Sequence, residues 1–427
     1  MAQEKKQWGA IIVMIALFAM IAFVTNLCSP MATIIKNQGE ISNVLAQIGN
    51  YGNFVAYLLM GIPAGMLISK FGYKKTALIG LAVGIIGIGI QWFSGQLDAK
   101  ENLGLVFGVY LTGAFIAGFC MCILNCVVNP MLNLLGGGGN KGNQLIQIGG
   151  VFNSSAAVAV YILMGALIGE VTKETKIADA TPALMIALAI FVIAFVVILF
   201  TKIEEPEQAP VDVSLIKGAI KYRHFVLGVL GIFLYMGIEV GTPTYILQYL
   251  TAEKGMAAST VGLIVAVYWL MMLVGRFVGG AIGGKVSSRT QITTVSALTL
   301  VLVLFGMFAP ETSTVNVPTI NWATLEFGSE SVPMGIFAFL LVGLCTSVMW
   351  GGIFNMAVEG LGKYTAIASG IFMTMVFGCA VMVAIQGYVA DVTNYMTSYW
   401  VVVFCAAYLL FYALVGSKNV NKDIPVE

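Results

Sequence analysis

Glu239 stands near the middle of the long apolar span 224–250, where a carboxylate has no bulk water to solvate it. An ionisable side chain at such depth is costly unless it faces the protein interior or a water-filled cavity, so it marks a functional site. Tyr235 lies one turn before it and Thr242 one turn after, which predicts a polar stripe along one helical face. Asn125 and Asn129 are four apart and share a face of another run, and Asn153 falls on the run after that. Amides and a carboxylate form paired bonds to hydroxyls, and Trp269 and Trp350 offer indole faces against which an apolar ring can stack. Gln248, Gln147, Asn26 and Asn355 are weaker polar candidates. This chemistry grips an uncharged, hydroxyl-rich guest. A structural reading stands beside it: buried amides also bond one another and nearby carbonyls as interhelical glue, and Glu239 could pair with Arg276, the nearest base by depth.

Positioning these groups requires a membrane scaffold. The chain has 427 residues, 59% hydrophobic and 10% charged, with mean hydropathy +0.94, whereas an average soluble domain is about 25% charged. Runs of about 20 apolar residues cross the roughly 30 Å hydrocarbon layer. Twelve are predicted, at 8–35, 42–69, 76–95, 104–135, 144–169, 183–201, 224–250, 258–284, 290–309, 333–360, 365–388 and 396–416. The first is too long for a cleavable signal core and is expected to stay in the mature protein.

Basic residues near helix ends are retained on the cytoplasmic side. With the N-terminus inside, Lys5, Lys6, Lys70, Lys74, Lys75, Lys141, Lys202, Lys217, Lys221, Arg223, Lys285, Arg289, Lys363, Lys418 and Lys422 fall in the cytoplasm. Lys36, Lys100, Lys173, Lys176 and Lys254 fall outside, and Arg276 within a span. Fifteen against five predicts cytoplasmic termini. Arg276 precedes Lys285 by nine residues, hence lies about 13 Å deeper at 1.5 Å per residue, which suits a packing or gating role near that end.

The charged stretch 202–223, with Glu204, Glu205, Pro206, Glu207, Pro210 and Asp212, reads as a cytoplasmic linker between bundles at 1–201 and 224–427. Within it, Val213 to Tyr222 suits a short amphipathic helix on the membrane surface. The two bundles read as parallel six-helix repeats. Ala64-Gly65 followed by Lys70 and Lys74 corresponds to Gly279-Gly280 followed by Lys285 and Arg289, at an offset of 280 − 65 = 215. Asn129 with Leu135-Gly136 likewise matches Asn355 with Leu361-Gly362. Two such repeats in one bilayer are the build of many secondary transporters, with the guest near the midplane where they meet.

Other chemistries find no support. Cys28, Cys120, Cys122, Cys126, Cys345, Cys379 and Cys405 all sit in apolar spans, and His224 is the sole histidine, so no disulfide framework or metal set is expected. Gly136 to Gly139 lacks the Lys-Ser/Thr ending of a phosphate-binding loop and reads as a turn. There is no pore-filter pattern, catalytic carboxylate pair or Ser-His pair, so the chain is not expected to be a channel, pump or enzyme.

The cassette after the second span resembles that of the major facilitator superfamily, although Ser69 stands where the family usually has an acid. Further segments resemble its fucose, galactose and glucose permease branch. They are Asn125 with Asn129-Pro130, Leu135-Gly136 and Phe152-Asn153-Ser154, then Tyr235 to Gly241, Tyr268-Trp269, Gly275-Arg276-Phe277, Gly360 to Lys363 and Gly387 to Asp391. The resemblance implies an all-α fold of twelve transmembrane helices in two six-helix repeats. It also implies alternating-access transport of a neutral monosaccharide, a hexose such as glucose or galactose, with fucose or an N-acetylated or amino sugar as the alternative. Proton-coupled fucose permeases of the branch carry an Asp and a Glu where this chain has Ser29 and Asn125, so that coupling does not carry over. Sodium symport, uniport and proton symport through Glu239 are left open, with Glu239, Ser29 and Asn125 as coupling candidates. Asn129, Asn153, Glu239, Asn125, Trp269, Trp350, Gln248 and Asn26 are the expected sugar-site residues, and Lys70, Lys74, Arg276 and Lys285 the gating or structural ones. No cofactor beyond a coupling Na+ or H+ is expected, and no nucleic-acid partner. The partners are a small sugar and the lipid bilayer, the chain acting as a monomer in a bacterial inner membrane.

Overall fold

In hydrocarbon the backbone must bond to itself, so apolar runs of this length fold as helices. The computed structural model describes residues 7–37, 43–97, 99–168, 176–205, 213–256, 258–310, 312–321 and 324–421. Lys5, Lys6, Lys173, Pro206, Glu207, Pro210, Asp212, Trp322 and Lys422, and the side chains of Cys28, Ser29, Lys36 and Lys100, lie outside the described residues. The helices are α1 (Trp8–Asn37), α2 (Asn43–Ser94), α3 (Ala99–Leu135), α4 (Gly139–Ile168), α5 (Thr181–Phe200), α6 (Val213–Ile220), α7 (Arg223–Ala252), α8 (Ala258–Ile282) and α9 (Ser288–Phe308). A hairpin of β1 (Thr314–Asn321) and β2 (Glu326–Pro333) follows. Then come α10 (Met334–Thr346), α11 (Met349–Val358), α12 (Thr365–Thr374), α13 (Gly378–Val392), α14 (Tyr395–Ser398) and α15 (Trp400–Phe411).

Ten described stretches are long and apolar enough to cross a membrane. One of them, Phe54–Ser94, runs for 41 residues and turns at Gly72, whose φ of 80° and ψ of 175° leave the helical region; at 1.5 Å per residue it is about twice a bilayer core. Counted as two and joined by α4, these make twelve crossings. The tenth is built from α10 and α11, the eleventh from α12 and α13 joined by a 3-10 turn at Met375–Phe377.

The turn at Gly72 is held from the linker. The Glu205 carboxylate accepts from the backbone amides of Tyr73 and, at 3.1 Å, Lys74, which caps the helical segment starting there. The Lys74 ammonium donates to the Leu199 and Thr201 carbonyls at 3.1 and 2.7 Å, neutralising the carbonyl end of α5. Any Cβ on Gly72 would strike Glu205, so position 72 needs glycine both for its positive φ and for this contact. Lys70 is exposed and lies over the Phe71 ring at 5.1 Å, and Lys285 is also exposed.

Helices before and after the linker meet along two lines, α2 against α12 and α4 against α8. Both lines are glycine-rich because close backbone approach leaves no room for side chains. An added Cβ on Gly370 would lie 2.4 Å from the Gly61 carbonyl oxygen and 3.0 Å from the Gly65 Cα. Gly280 and Gly283 similarly lie against Ile148 and Gln144. These contacts sit toward the end that carries Lys70, Lys74, Lys141, Lys285 and Lys363, here called the basic end.

The hairpin fills the connection between the ninth and tenth spans. Its strands pair antiparallel from Thr314 with Pro333 to Asn321 with Glu326, and Val317, Thr319 and Val332 are buried where it meets α8 and α10. The alternating β-branched residues of Thr314-Val-Asn-Val317 are the local cause.

Replacing Gly370 by Leu is expected to hold α2 and α12 apart and to cost about 1–3 kcal/mol, read as a lower Tm together with faster thiol labelling of a cysteine placed at buried Asn133; an unchanged Tm and labelling rate would contradict the packing described. Glu205→Ala should cost about 0.5–2 kcal/mol through loss of the cap, with Glu205→Gln retaining part of it. Thermal unfolding in detergent measures both.

Candidate functional site

Polar side chains gather at mid-depth where the two sets of helices face each other. On α3 the amides of Asn125 and Asn129 stack one turn apart. Asn125 Nδ2 donates to the Tyr57 hydroxyl at 2.7 Å, and Asn129 Nδ2 donates to the Asn125 carbonyl at 3.0 Å and approaches its Oδ1 at 3.3 Å. Asn129 Oδ1 accepts from Trp350 Nε1 at 3.1 Å, a bond that reaches from α3 to α11. Asn125 and Asn129 are buried, while Trp350 is half-buried. Trp350 packs edge-on against Tyr235 and Phe372, each with centroids 6.3 Å away, so its ring is fixed by two neighbours and one hydrogen bond.

Trp350 leads to the acid. Glu239 on α7 is half-buried, and Tyr235 stands one turn before it on the same helix. The Tyr235 hydroxyl donates to the Thr346 carbonyl at 3.4 Å. On α8 the Tyr268 hydroxyl lies 3.2 Å from Thr346 Oγ1, whose own hydrogen goes to the Gly343 carbonyl at 3.1 Å. Sequence reasoning missed Thr346, since threonines in apolar spans commonly bond their own backbone.

Arg276 lies within electrostatic reach of Glu239, but its hydrogen bonds go elsewhere. Its Nη1 donates to the Gly150 carbonyl at 3.0 Å, Asn153 Oδ1 at 3.0 Å and Ser154 Oγ at 2.6 Å, all on α4. Two hydrogens thus serve three acceptors. Asn153 Nδ2 donates to the Phe18 carbonyl at 2.7 Å, so both ends of this amide are engaged within the protein. Trp269 is 38% exposed and meets the Tyr268 ring at 88° with centroids 5.3 Å apart. It precedes Arg276 by seven residues, hence two turns along the face of α8 that meets α4.

Toward the basic end a neutral seam joins the same helices. Asn133 Nδ2 donates to Asn355 Oδ1 at 2.7 Å, and Asn355 Nδ2 to Ser288 Oγ at 2.9 Å. Gln147 Nε2 donates to the Val348 carbonyl at 3.1 Å and Gln144 Nε2 to the Gly280 carbonyl at 2.9 Å. Asn133 continues the four-residue spacing of Asn125 and Asn129, a signal that would have found it. Asn355 and Gln147 are therefore seam residues in this geometry. Asn26 Nδ2 donates to its own helix at the Ala22 carbonyl, 2.8 Å away, and Gln248 is half-buried on α7, beyond Glu239 from the basic end.

The arrangement is a polar junction closed on its basic side, with carboxylate, amides, phenols and indoles around it. Residues 11–384 match the family model of the Major Facilitator Superfamily. A glucose/galactose transporter of Brucella abortus is 28% identical over 428 residues, covering 97% of this chain and 96% of the relative. The L-fucose-proton symporter of Escherichia coli is 21% identical over 95% of this chain and 93% of its own length. A crystal structure of the E. coli fucose:proton symporter superposes with a TM-score of 0.80 at 19% identity, covering 97% of this chain and all of that one. The chain belongs to the Major Facilitator Superfamily.

Proposed function

We propose that this protein carries a neutral hexose, such as glucose or galactose, across a bacterial inner membrane by alternating access. The observation that carries the reading is the polar junction at mid-depth, where the Trp350–Asn129 bond crosses between the two sets of helices beside Tyr235 and Glu239. A sugar offers hydroxyls that donate and accept, and an apolar ring face, and this junction supplies a carboxylate, amide groups and an indole held edge-on to its neighbours. The glucose/galactose and fucose transporters to which the chain is similar support the same class of cargo.

Glu239, Trp350, Asn153 and Trp269 stand at the accessible surface of the junction, with Asn125 and Asn129 beneath it. Entry of a sugar competes for bonds now made within the protein, above all Trp350 to Asn129 and Arg276 to Asn153. Breaking those bonds loosens the contacts that hold the two sets of helices together, which ties cargo binding to movement. In this reading the basic end is cytoplasmic, both termini lie inside, and the seam of Asn133, Asn355, Gln147 and Gln144 is the inner seal. The chain as described is then shut toward the cytoplasm.

Uptake of labelled glucose and galactose into proteoliposomes tests this. Glu239→Gln and Asn125→Ala should each lower kcat/KM by about 10–100-fold, the value of about 1.5–3 kcal/mol for a hydrogen bond involving a charged or buried group. Uptake unchanged in both variants would remove the sugar from this junction. Stronger competition by N-acetylglucosamine than by glucose would reassign the cargo.

A further inference from the structure

We propose that Asn143 is the residue that drives the inner seal open: its amide is buried without a partner while the seam is shut, and is satisfied when the two sets of helices part. The inference rests on the reading of the basic-end seam as the inner seal, and adds what limits the strength of that seal.

The first observation is the amide itself. Asn143 is fully buried one turn into α4, and among the described residues neither its Oδ1 nor its Nδ2 has a hydrogen-bond partner. An Asn amide carries two donor hydrogens and two acceptor lone pairs, all of which water satisfies. Buried polar groups are bonded in the great majority, so an amide with both ends unbonded opposes the state that buries it.

The second observation is what the amide faces. On α4 it meets α11, a helix of the other set: an added Cβ on Gly351 would lie 3.1 Å from Asn143 Oδ1 and 3.0 Å from Gln147 Nε2. A glycine offers the amide no side chain to bond. The other seam amides are already committed, Gln147 Nε2 to the Val348 carbonyl, Gln144 Nε2 to the Gly280 carbonyl and Asn133 Nδ2 to Asn355 Oδ1. Gly142, the residue before, packs on Asn133, where an added Cβ would lie 2.7 Å from the Asn133 carbonyl oxygen. That contact leaves α4 little freedom to carry Asn143 to another partner.

The seam therefore contains opposed terms. The three amide bonds just named close it, and Asn143 works against them, because a buried polar group left unsatisfied shifts an equilibrium roughly 5–100-fold against the state that buries it. Lys141, two residues earlier on α4, is exposed, so parting α4 from α11 at this level admits water to the amide with little further movement. The closed state keeps the bonds that specify its geometry while losing part of its advantage over the open one.

The test uses the full-length protein in nanodiscs without sugar, with spin labels at exposed Lys141 and Lys285 reporting the distance across the basic end by pulsed electron resonance. Asn143→Leu keeps the branched outline of the side chain and removes both polar atoms. It should raise the ratio of short to long distances by about fivefold or more. Asn133→Leu makes the same change at a bonded amide of the same seam, takes the donor from Asn355 Oδ1, and should move the ratio the other way. Opposite signs separate an unsatisfied amide from a general disturbance of packing. Asn143→Ala should shift the ratio in the same direction as Asn143→Leu, and it decides the matter if the leucine variant does not fold. A ratio unchanged or lowered in the Asn143 variants that fold would overturn the proposal, as would shifts of the same sign at Asn143 and Asn133. In glucose uptake, Asn143→Leu should lower kcat by about fivefold or more without raising KM; a raised KM with kcat unchanged would contradict it. A preparation whose basic end opens and closes as described, but which takes up neither glucose nor galactose, keeps the proposal and rejects the hexose reading.

Discussion

A polar group inside the hydrocarbon layer must find its partner within the protein, because no water competes for it and none rescues it. Every feature of the junction follows from that constraint. The amides of Asn125, Asn129 and Asn133 run along one face of α3, and each has a partner beyond its own backbone: Tyr57 for Asn125, Trp350 for Asn129, Asn355 for Asn133. Two of these three bonds cross to the other side of the linker. The chain thus uses the need to satisfy buried amides as the means of holding its two sets of helices together.

The tenth span is where this seam and the candidate site become one object. Over five residues Thr346 faces Tyr235, Val348 receives Gln147, and Trp350 binds Asn129. Tyr235 and Tyr268 both reach Thr346, two and four residues before the two that grip the opposite helices. The seam bonds just described are neutral, and a neutral hydrogen bond is worth about 0.5–1.5 kcal/mol net. Arg276 adds a charged clasp between α8 and α4 at the same level as Asn153.

Much of this was legible from residue types alone. Twelve apolar runs, their basic ends and the isolated carboxylate at Glu239 are properties of single segments, and a membrane leaves a single segment few alternatives to a helix. The pairing of segments was not legible. Arg276 is closest in depth to Glu239, yet it bonds α4, because depth counts residues along one helix and says nothing of which neighbour crosses there. The break after Thr346 contains no proline to announce it. The hairpin at Thr314–Pro333 carries its signal in a few alternating residues, easily lost beside runs of twenty apolar ones. The acid absent at Ser69 has a counterpart in Glu205, which reaches the same turn from the far side of four helices, and no local motif could reveal it.

The central claim is that the seam at the basic end is one of two seals that exchange as cargo passes. Spin labels at exposed Lys141 and Lys285 report on the basic end, and labels at exposed Gln96 and Asn394 on the opposite end. Distances measured by pulsed electron resonance in nanodiscs, with and without glucose, test the claim most directly. The account predicts that glucose lengthens the first distance in part of the population while shortening the second. Two distances that move together, or that stay fixed in a preparation shown to transport glucose, would contradict it.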